Sequence, residues 1–387
     1  MHNKFYINMS IAILWGEYVP VEMNENEQIV LDLIRKNPYI SQQELAELVG
    51  LSRPTIANMI SGLIKKGKIK GRAYILNDSQ QVVCIGGANI DRKFHIKGKA
   101  QFGTSNPSYV TSSVGGVARN IAENLGRLGL DVALISASGV DKDWSIIEEA
   151  SSLYMNLDTV TQFPEKSTGS YTAVLDSSGE LIIALADMEV YESITPDLLR
   201  KHNALLSRSK CIIVDLNTPK ESVQYLCHFA KKHDIPLAII PVSAPKMNRL
   251  PDDLAGSTWL ITNRDESEAY FQAEIKNKDD WKSALEKWLE LGIANVVITN
   301  GKEGAMIGNK EEGIFHVPSI KANQIVDVTG AGDAFSSAVI YSWLEGKSLI
   351  EIAKAGNMNA SKTLQSPYTV RQDLSADQLK KDVEESS

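Results

Sequence analysis

From Val82 onward, short β-branched runs and amphipathic helical stretches alternate for about 300 residues, and that alternation leaves few architectures open. Strand signals fall at Val82–Ile85, Val132–Ile135, Cys211–Val214, Leu237–Ile240, Trp259–Ile261 and Val296–Ile298. Helical stretches lie between or after them at Val117–Leu128, Pro219–Lys232, Asp279–Leu291 and Ala334–Glu345. Strands that are apolar throughout are covered on both faces, so the pattern predicts an α/β sandwich around a mostly parallel sheet. Two stretches break the rhythm: Arg92–Ser113, and Ser170–Ala186 with its turn at Ser177-Ser178-Gly179. They read as antiparallel ribbons, the makings of a lid over a site on the sheet.

The preceding residues follow another plan. Ile29, Leu31, Leu33 and Ile34 lie mostly on one helical face, stopped by Asn37-Pro38. Ser41 and Glu44 form a capping box for a second helix with Leu45, Ala46, Leu48 and Val49 as its stripe. Ser52 opens a third, with Pro54 in its first turn and Ile56, Ile60, Leu63 and Ile64 inward, ended by Gly67. Lys68 to Leu76 reads as a short β-ribbon, and the whole has the plan of a winged helix-turn-helix. Residues 1–22 lack periodicity and are set aside as an unassigned leader, with Met23 an alternative start. The expected organisation is therefore 23–76 and 77–387, with lid segments near 92–114 and 167–190.

Charge separates the two parts. The chain carries −8 overall, yet residues 23–76 carry +3 and those after them −10, which predicts different partners for each. Three cysteines without ligand spacing and no long apolar run fit a reducing cytoplasm and exclude a membrane span. His202, His228 and His233 have no paired ligands, and Trp281 and Trp288 read as core.

Five strings carry chemistry. In Asp327-Val328-Thr329-Gly330-Ala331-Gly332-Asp333, small residues leave backbone N–H groups free at a helix start, an anion cradle with the Asp333 carboxylate beside it. That suits phosphoryl transfer, although the string also serves as a plain glycine-rich turn. Gly115-Gly116-Val117-Ala118-Arg119-Asn120 opens a helix with an Asn able to reach a hydroxyl, or is simply capped. Asn89 and Asp91 follow a strand, where they can hold a sugar diol or make a tight turn. Asn263-Arg264-Asp265-Glu266 could order water around Mg²⁺ or start a helix. Thr299 to Gly304 could line a nucleotide or make a hairpin.

In this order, over about residues 80–375, the five strings resemble the ribokinase/PfkB carbohydrate kinases. The resemblance implies a ribokinase-like three-layer sandwich with a β lid, and ATP and Mg²⁺ as cofactors. It implies Asp333 as base and Gly330, Ala331 and Gly332 as anion hole. Asn89, Asp91, Gly115, Gly116 and Asn120 would hold the sugar, and Thr299, Gly301, Gly304 and Asn357 the ATP. Glu266 would act on Mg²⁺ through water, and Asp327 with nearby carbonyls would bind a monovalent cation such as K⁺. Ser167–Asp187, Pro241–Ala244, Lys246 and the Arg119-Asn120 pair are similar to the branch that phosphorylates pseudouridine, where Lys166 and Thr168 present the lid to substrate. Ile240 stands where that branch leads one to expect Asp, and the loop after it is given no role. Residues 24–76 resemble bacterial regulators, implying DNA contacts from Arg53, Thr55, Asn58, Lys68, Lys70 and Arg72, although a small domain that dimerises or packs on the kinase also fits. The expected activity is phosphorylation of the 5′-hydroxyl of a nucleoside or sugar, most of all pseudouridine, by a homodimer. The alternatives are a ribokinase or other nucleoside kinase, and a regulator using the kinase fold as a ligand sensor.

Overall fold

The computed structural model describes residues 23–70 and 80–385. The chain divides into two compact units, Met1–Asp78 and Ser79–Ser387. Residues 1–22 and positions 71–76 of the expected ribbon, Arg72 among them, lie outside the described residues.

In the first unit, α1 (Glu25–Lys36), α2 (Gln42–Val49) and α3 (Arg53–Lys65) enclose a core of Val30, Leu31, Ile34, Leu45, Ile56, Ile60, Leu63 and Ile69. Each helix opens on a side-chain cap, from Asn24, Ser41 and Ser52, a device worth about 1 kcal/mol apiece. Buried Glu27 takes the Lys66 ammonium at 2.8 Å, tying the start of α1 to the end of α3. Leu48 and Ile64, expected inside, are exposed, because each stripe turns inward over fewer positions than its apolar residues occupy.

The second unit enters its sheet on β1 (Val82–Ile85) and leaves for the lid hairpin β2 (Asn89–Ile96) and β3 (Ser108–Gly115). It returns through α4 (Val117–Arg127) to β4 (Val132–Ile135). Then come β5 (Ala137–Ser138), α5 (Lys142–Ser151), β6 (Thr161–Gln162) and a second lid hairpin, β7 (Ser170–Leu175) and β8 (Leu181–Asp187). Next are α6 (Pro196–Lys201), α7 (Asn203–Leu206), β9 (Cys211–Asp215), α8 (Lys220–His233), β10 (Leu237–Ile240) and β11 (Trp259–Asn263). The chain continues with α9 (Arg264–Phe271), α10 (Lys278–Glu290), β12 (Asn295–Thr299), β13 (Ala305–Asn309) and β14 (Gly313–Val317). It closes on α11 (Ala331–Leu344), α12 (Leu349–Thr363) and α13 (Ala376–Glu385).

Eight strands form the central sheet in the order β14-β13-β12-β11-β10-β9-β1-β4. The six from β12 to β4 run parallel, and β13 and β14 add an antiparallel edge. Alternate residues feed the two faces. Val83 and Ile85 join the core under α8 and α10, where Trp281 and Trp288 are buried. Val82 and Cys84 join the core under α4, α11 and α12. The result is the three-layer ribokinase-like α/β fold. The lid is one sheet, β3-β2-β7-β8, rather than two separate ribbons, because β2 and β7 pair in parallel between the hairpins. Among the described residues, no helix is long and apolar enough to cross a membrane.

Candidate active site

In open parallel sheets, ligands bind at the carboxyl ends of the strands. Here those ends carry Gly86–Asn89 after β1, Asp215 on β9, Pro241 after β10, Asn263 on β11 and Thr299 on β12. Over them stands the N-terminus of α11, with Gly330 as its left-handed N-cap (φ 82). A Cβ on Gly330 would lie 2.1 Å from the Thr369 carbonyl oxygen, so only glycine serves there. Among the described residues, the N–H groups of Gly330, Gly332 and Asp333 meet no acceptor. With the helix dipole behind them they make a site for an anion.

Asp333 sits in the first turn of α11, open on the cavity side and enclosed by protein elsewhere. Its Oδ2 accepts from Asn120 Nδ2 at 2.8 Å. Burial pushes its carboxyl up to about 7; the Asn120 hydrogen bond opposes this, Asp215 and Asp91 add to it, and Arg119 draws it down. Asn120 is itself oriented. Arg119 Nη1 donates to its Oδ1 at 3.1 Å, so its Nδ2 faces Asp333. Arg119 is buried, donates through Nε to Ser151 at 3.0 Å and pairs with Glu123 one turn along α4.

Opposite, Asn89 Nδ2 donates to Asp91 Oδ1 at 2.6 Å, and burial lifts the Asp91 carboxyl to about 6. Gly115 pairs with Asn89 across the β2–β3 ladder. Gly116 (φ 100) brings α4 against Gly87, where a Cβ would lie 2.4 Å from the carbonyl oxygen. Asn89, Asp91, Gly115, Gly116 and Asn120 thus gather around the start of α4, with Asp333 reached through Asn120.

Two cavities meet at Thr299, Gly332 and Phe335. The larger, about 720 Å³, is lined also by Gly301, Gly304, Ala331, Val328 and Asn357. The smaller, about 130 Å³, holds Asp333 and Glu266. Glu266 Oε2 accepts from Thr262 Oγ1 and Asn263 N–H, both at 2.9 Å, and burial raises its carboxyl above the ordinary range. Asn357 donates to Pro318 O at 2.9 Å on the cavity wall.

Other expected residues stand differently. The Thr168 hydroxyl is buried, donating to Asp141 at 2.7 Å and accepting from Gly139 N–H at 3.0 Å, so it secures the approach to the lid. The Lys166 ammonium lies 4.0 Å from Glu189. Asp327 is engaged by Lys93 of the lid at 2.7 Å. In the first unit Arg53, Asn58, Lys68 and Lys70 are exposed and Thr55 is half-buried, its N–H capped by Ser52.

The sequence reading passed over Asp215. Its buried carboxylate accepts from Gly87 N–H and Ala118 N–H at 2.9 Å and Asn217 N–H at 2.8 Å, and burial raises it despite those bonds. It caps α4, whose N-cap Gly116 has no side chain, and fixes the loop after β1. A lone charge closing the apolar run Cys211–Val214 was the available signal.

A profile of the pfkB family carbohydrate kinases matches residues 79–375, and a winged helix-turn-helix DNA-binding profile matches residues 23–70. An uncharacterised sugar kinase of Escherichia coli is 30% identical over 86% of this chain and 91% of its own. The pseudouridine kinase of Escherichia coli is 30% identical over 78% of this chain and 95% of its own. The solved structure of Arabidopsis thaliana ribokinase complexed with ribose and ATP shares the fold, with a TM-score of 0.70 over 79% of this chain and 99% of that one at 20% identity. A profile spanning most of the residues, on the fold and with the glycine-bounded anion site described above, makes this chain a member of the pfkB family of carbohydrate kinases, with a winged helix-turn-helix ahead of the kinase in sequence.

Proposed function

We propose that this protein transfers the γ-phosphoryl group of ATP to the 5′-hydroxyl of a nucleoside, pseudouridine. The observation that carries the reading is Asp333, held by Asn120 at 2.8 Å in the smaller cavity, next to Gly332 where that cavity meets the larger, and beside the unpaired N–H groups of α11. Asp333 takes the proton of the attacking hydroxyl, while the free N–H groups of Gly330, Gly332 and Asp333 receive the charge gathering on the phosphoryl oxygens. Ala331, expected among them, turns its N–H back to Val328 O at 3.5 Å instead. Thr299, Gly301, Gly304 and Asn357 line the cavity for ATP; Asn89, Asp91, Gly115, Gly116 and Asn120 hold the ribose. Lys166, with its ammonium 4.0 Å from Glu189 just before the lid strand β7, is the residue assigned to the base on family resemblance. Thr168 supports it from below. Glu266 fits a water-mediated Mg²⁺ partner, since it shares the Asp333 cavity and the bonds from Thr262 Oγ1 and Asn263 N–H both fall on its Oε2. Glu266 would hold Mg²⁺ through water, and the ion would there neutralise phosphate charge.

Pseudouridine is supported by the similarity to its Escherichia coli kinase. It shares a ribose with uridine but frees a ring N–H that uridine lacks. A buried acceptor for that N–H would favour pseudouridine in kcat/KM by at least about 100-fold. ADP release with pseudouridine, uridine, ribose and adenosine checks this. Equal use of the two nucleosides would leave a general nucleoside kinase, ribose in first place a ribokinase, and no release with any alcohol a ligand sensor.

The first unit we read as a DNA-binding module, with Arg53, Thr55 and Asn58 on α3 toward base edges and Lys68 and Lys70 toward phosphates. A homodimer is supported by the lid, where Val110, Phe94, Val174 and Ile183 stand in one cross-strand row whose edge members, Val110 and Ile183, are exposed. Each phosphate neutralised adds nearly one unit to the fall of log affinity with log salt, so a dimer with Lys68 and Lys70 from each protomer should show a slope of about −4. A gel shift on the gene's own promoter across salt concentrations measures it. A verified dimer that shifts nothing at low salt would remove the DNA reading.

A further inference from the structure

The family resemblance places a monovalent cation at Asp327, and the side chains around that carboxylate do not fit one. Asp327 Oδ1 accepts from Thr329 N–H at 2.9 Å and from Thr329 Oγ1 at 2.7 Å. Its Oδ2 accepts from the Lys93 ammonium at 2.7 Å, which also approaches Thr329 Oγ1 at 3.4 Å. Both oxygens are therefore committed, one of them to a full positive charge. A potassium ion on the same carboxylate would meet that ammonium within a few ångströms in a half-buried place, where like charges repel strongly. Burial alone would raise the Asp327 carboxyl, but the bonds from Lys93 and Thr329 outweigh it and hold it below the ordinary range.

We infer that the Lys93 ammonium is itself the cation at Asp327 in this chain, so that the loop leading into the anion site is organised without bound K⁺. The inference rests on the kinase reading above. Lys93 is well fixed for the task. It lies two residues beyond Asp91 on β2, in register with Thr111 of β3 on one side and Ala173 of β7 on the other. Lysine is a compact point charge, as an alkali ion is, but here it is covalently part of the lid. The Asp327–Thr329 turn it holds leads directly into Gly330, whose left-handed backbone begins α11. Lys93 is thus a positioning residue for the anion site, acting through Asp327.

The test compares ADP release by the full chain in KCl, NaCl and tetramethylammonium chloride at matched ionic strength, with thermal melting in the same salts. The wild-type rate and melting point should be the same in all three. Lys93→Met should lose about 10²-fold in kcat through the disturbed loop. It should recover part of that in KCl but not in tetramethylammonium chloride, with a melting point that rises only in KCl. Lys93→Arg should stay active and indifferent to the salt. A wild-type rate that collapses without K⁺ overturns the inference. So does a Lys93→Met enzyme as fast as wild type, or a Lys93→Arg enzyme as slow as the Met variant. A wild-type chain releasing no ADP even in KCl would instead refute the kinase reading.

Discussion

Asp333→Asn should lower kcat by about 10²–10⁴-fold while leaving ATP binding and the melting point close to wild type. The amide can still accept from Asn120 through its oxygen, so the local bond at 2.8 Å survives. What is lost is a group that takes a proton and pulls the hydroxyl into line. The pH profile supplies an independent check. Burial, with Asp215 and Asp91 nearby, lifts the Asp333 carboxyl to about 7 against the opposing Asn120 and Arg119. The base works only when ionised. Wild-type kcat/KM should therefore rise about tenfold per pH unit below that value and level off above it. The residual activity of the Asn variant should lack that limb. A variant keeping more than half the wild-type kcat would remove Asp333 from the chemistry.

The second large effect lies at the far end of the chain. Arg371 and Asp382 are paired at 2.7 Å with side-chain exposures of 2% and 1%. Lys362 at 3.3 Å and Gln378 at 2.8 Å serve the other oxygen of Asp382. Removing Asp382 leaves the buried Arg371 with only the exposed Asp373 at 3.7 Å, so Asp382→Ala should destabilise the second unit by about 3 kcal/mol. Arg371→Leu with Asp382→Leu, which removes both charges, should recover most of it. Urea unfolding of the full chain followed by tryptophan fluorescence measures both, since all but one of the six tryptophans lie beyond Val82. A single-variant loss under about 1 kcal/mol, the range of exposed pairs, would contradict the reading. The effect should reach catalysis as well, because Thr369, two residues before Arg371, packs its carbonyl under Gly330.

What could be read from the sequence was what local pattern encodes. Val82–Ile85 and Leu237–Ile240 are apolar throughout because both sheet faces are covered, and each reappears with the same bounds. The helix start at Gly330 is legible because the small residues there permit the left-handed backbone that opens α11, whichever use the string has. The antiparallel edge is half legible: Thr299 to Gly304, open as nucleotide loop or hairpin, is the hairpin turn from β12 to antiparallel β13 and also lines the larger cavity, whereas β14 carries no such signal. Helices α12 and α13 also went unread, their stripes being interrupted by buried Asn357, Asn359 and Asp382. Partners distant along the chain left no local trace. Asp215 bonds residues 128 and 97 positions earlier, and Lys93 meets Asp327 across 234. Leu48 and Ile64 show the reverse, apolar residues at helical spacing that packing does not use.

The residues around the start of α4 all precede Ile121, and those lining the larger cavity all follow Ile298. Under the proposed roles, what is phosphorylated and what supplies the phosphate are therefore written in separate stretches of the gene, joined physically at one carboxylate. Mutation can explore new acceptors in the first stretch without rewriting the second, so long as the loop carrying Asp333 keeps its shape. A scaffold partitioned in this way can diversify by drift on one side while selection holds the other still.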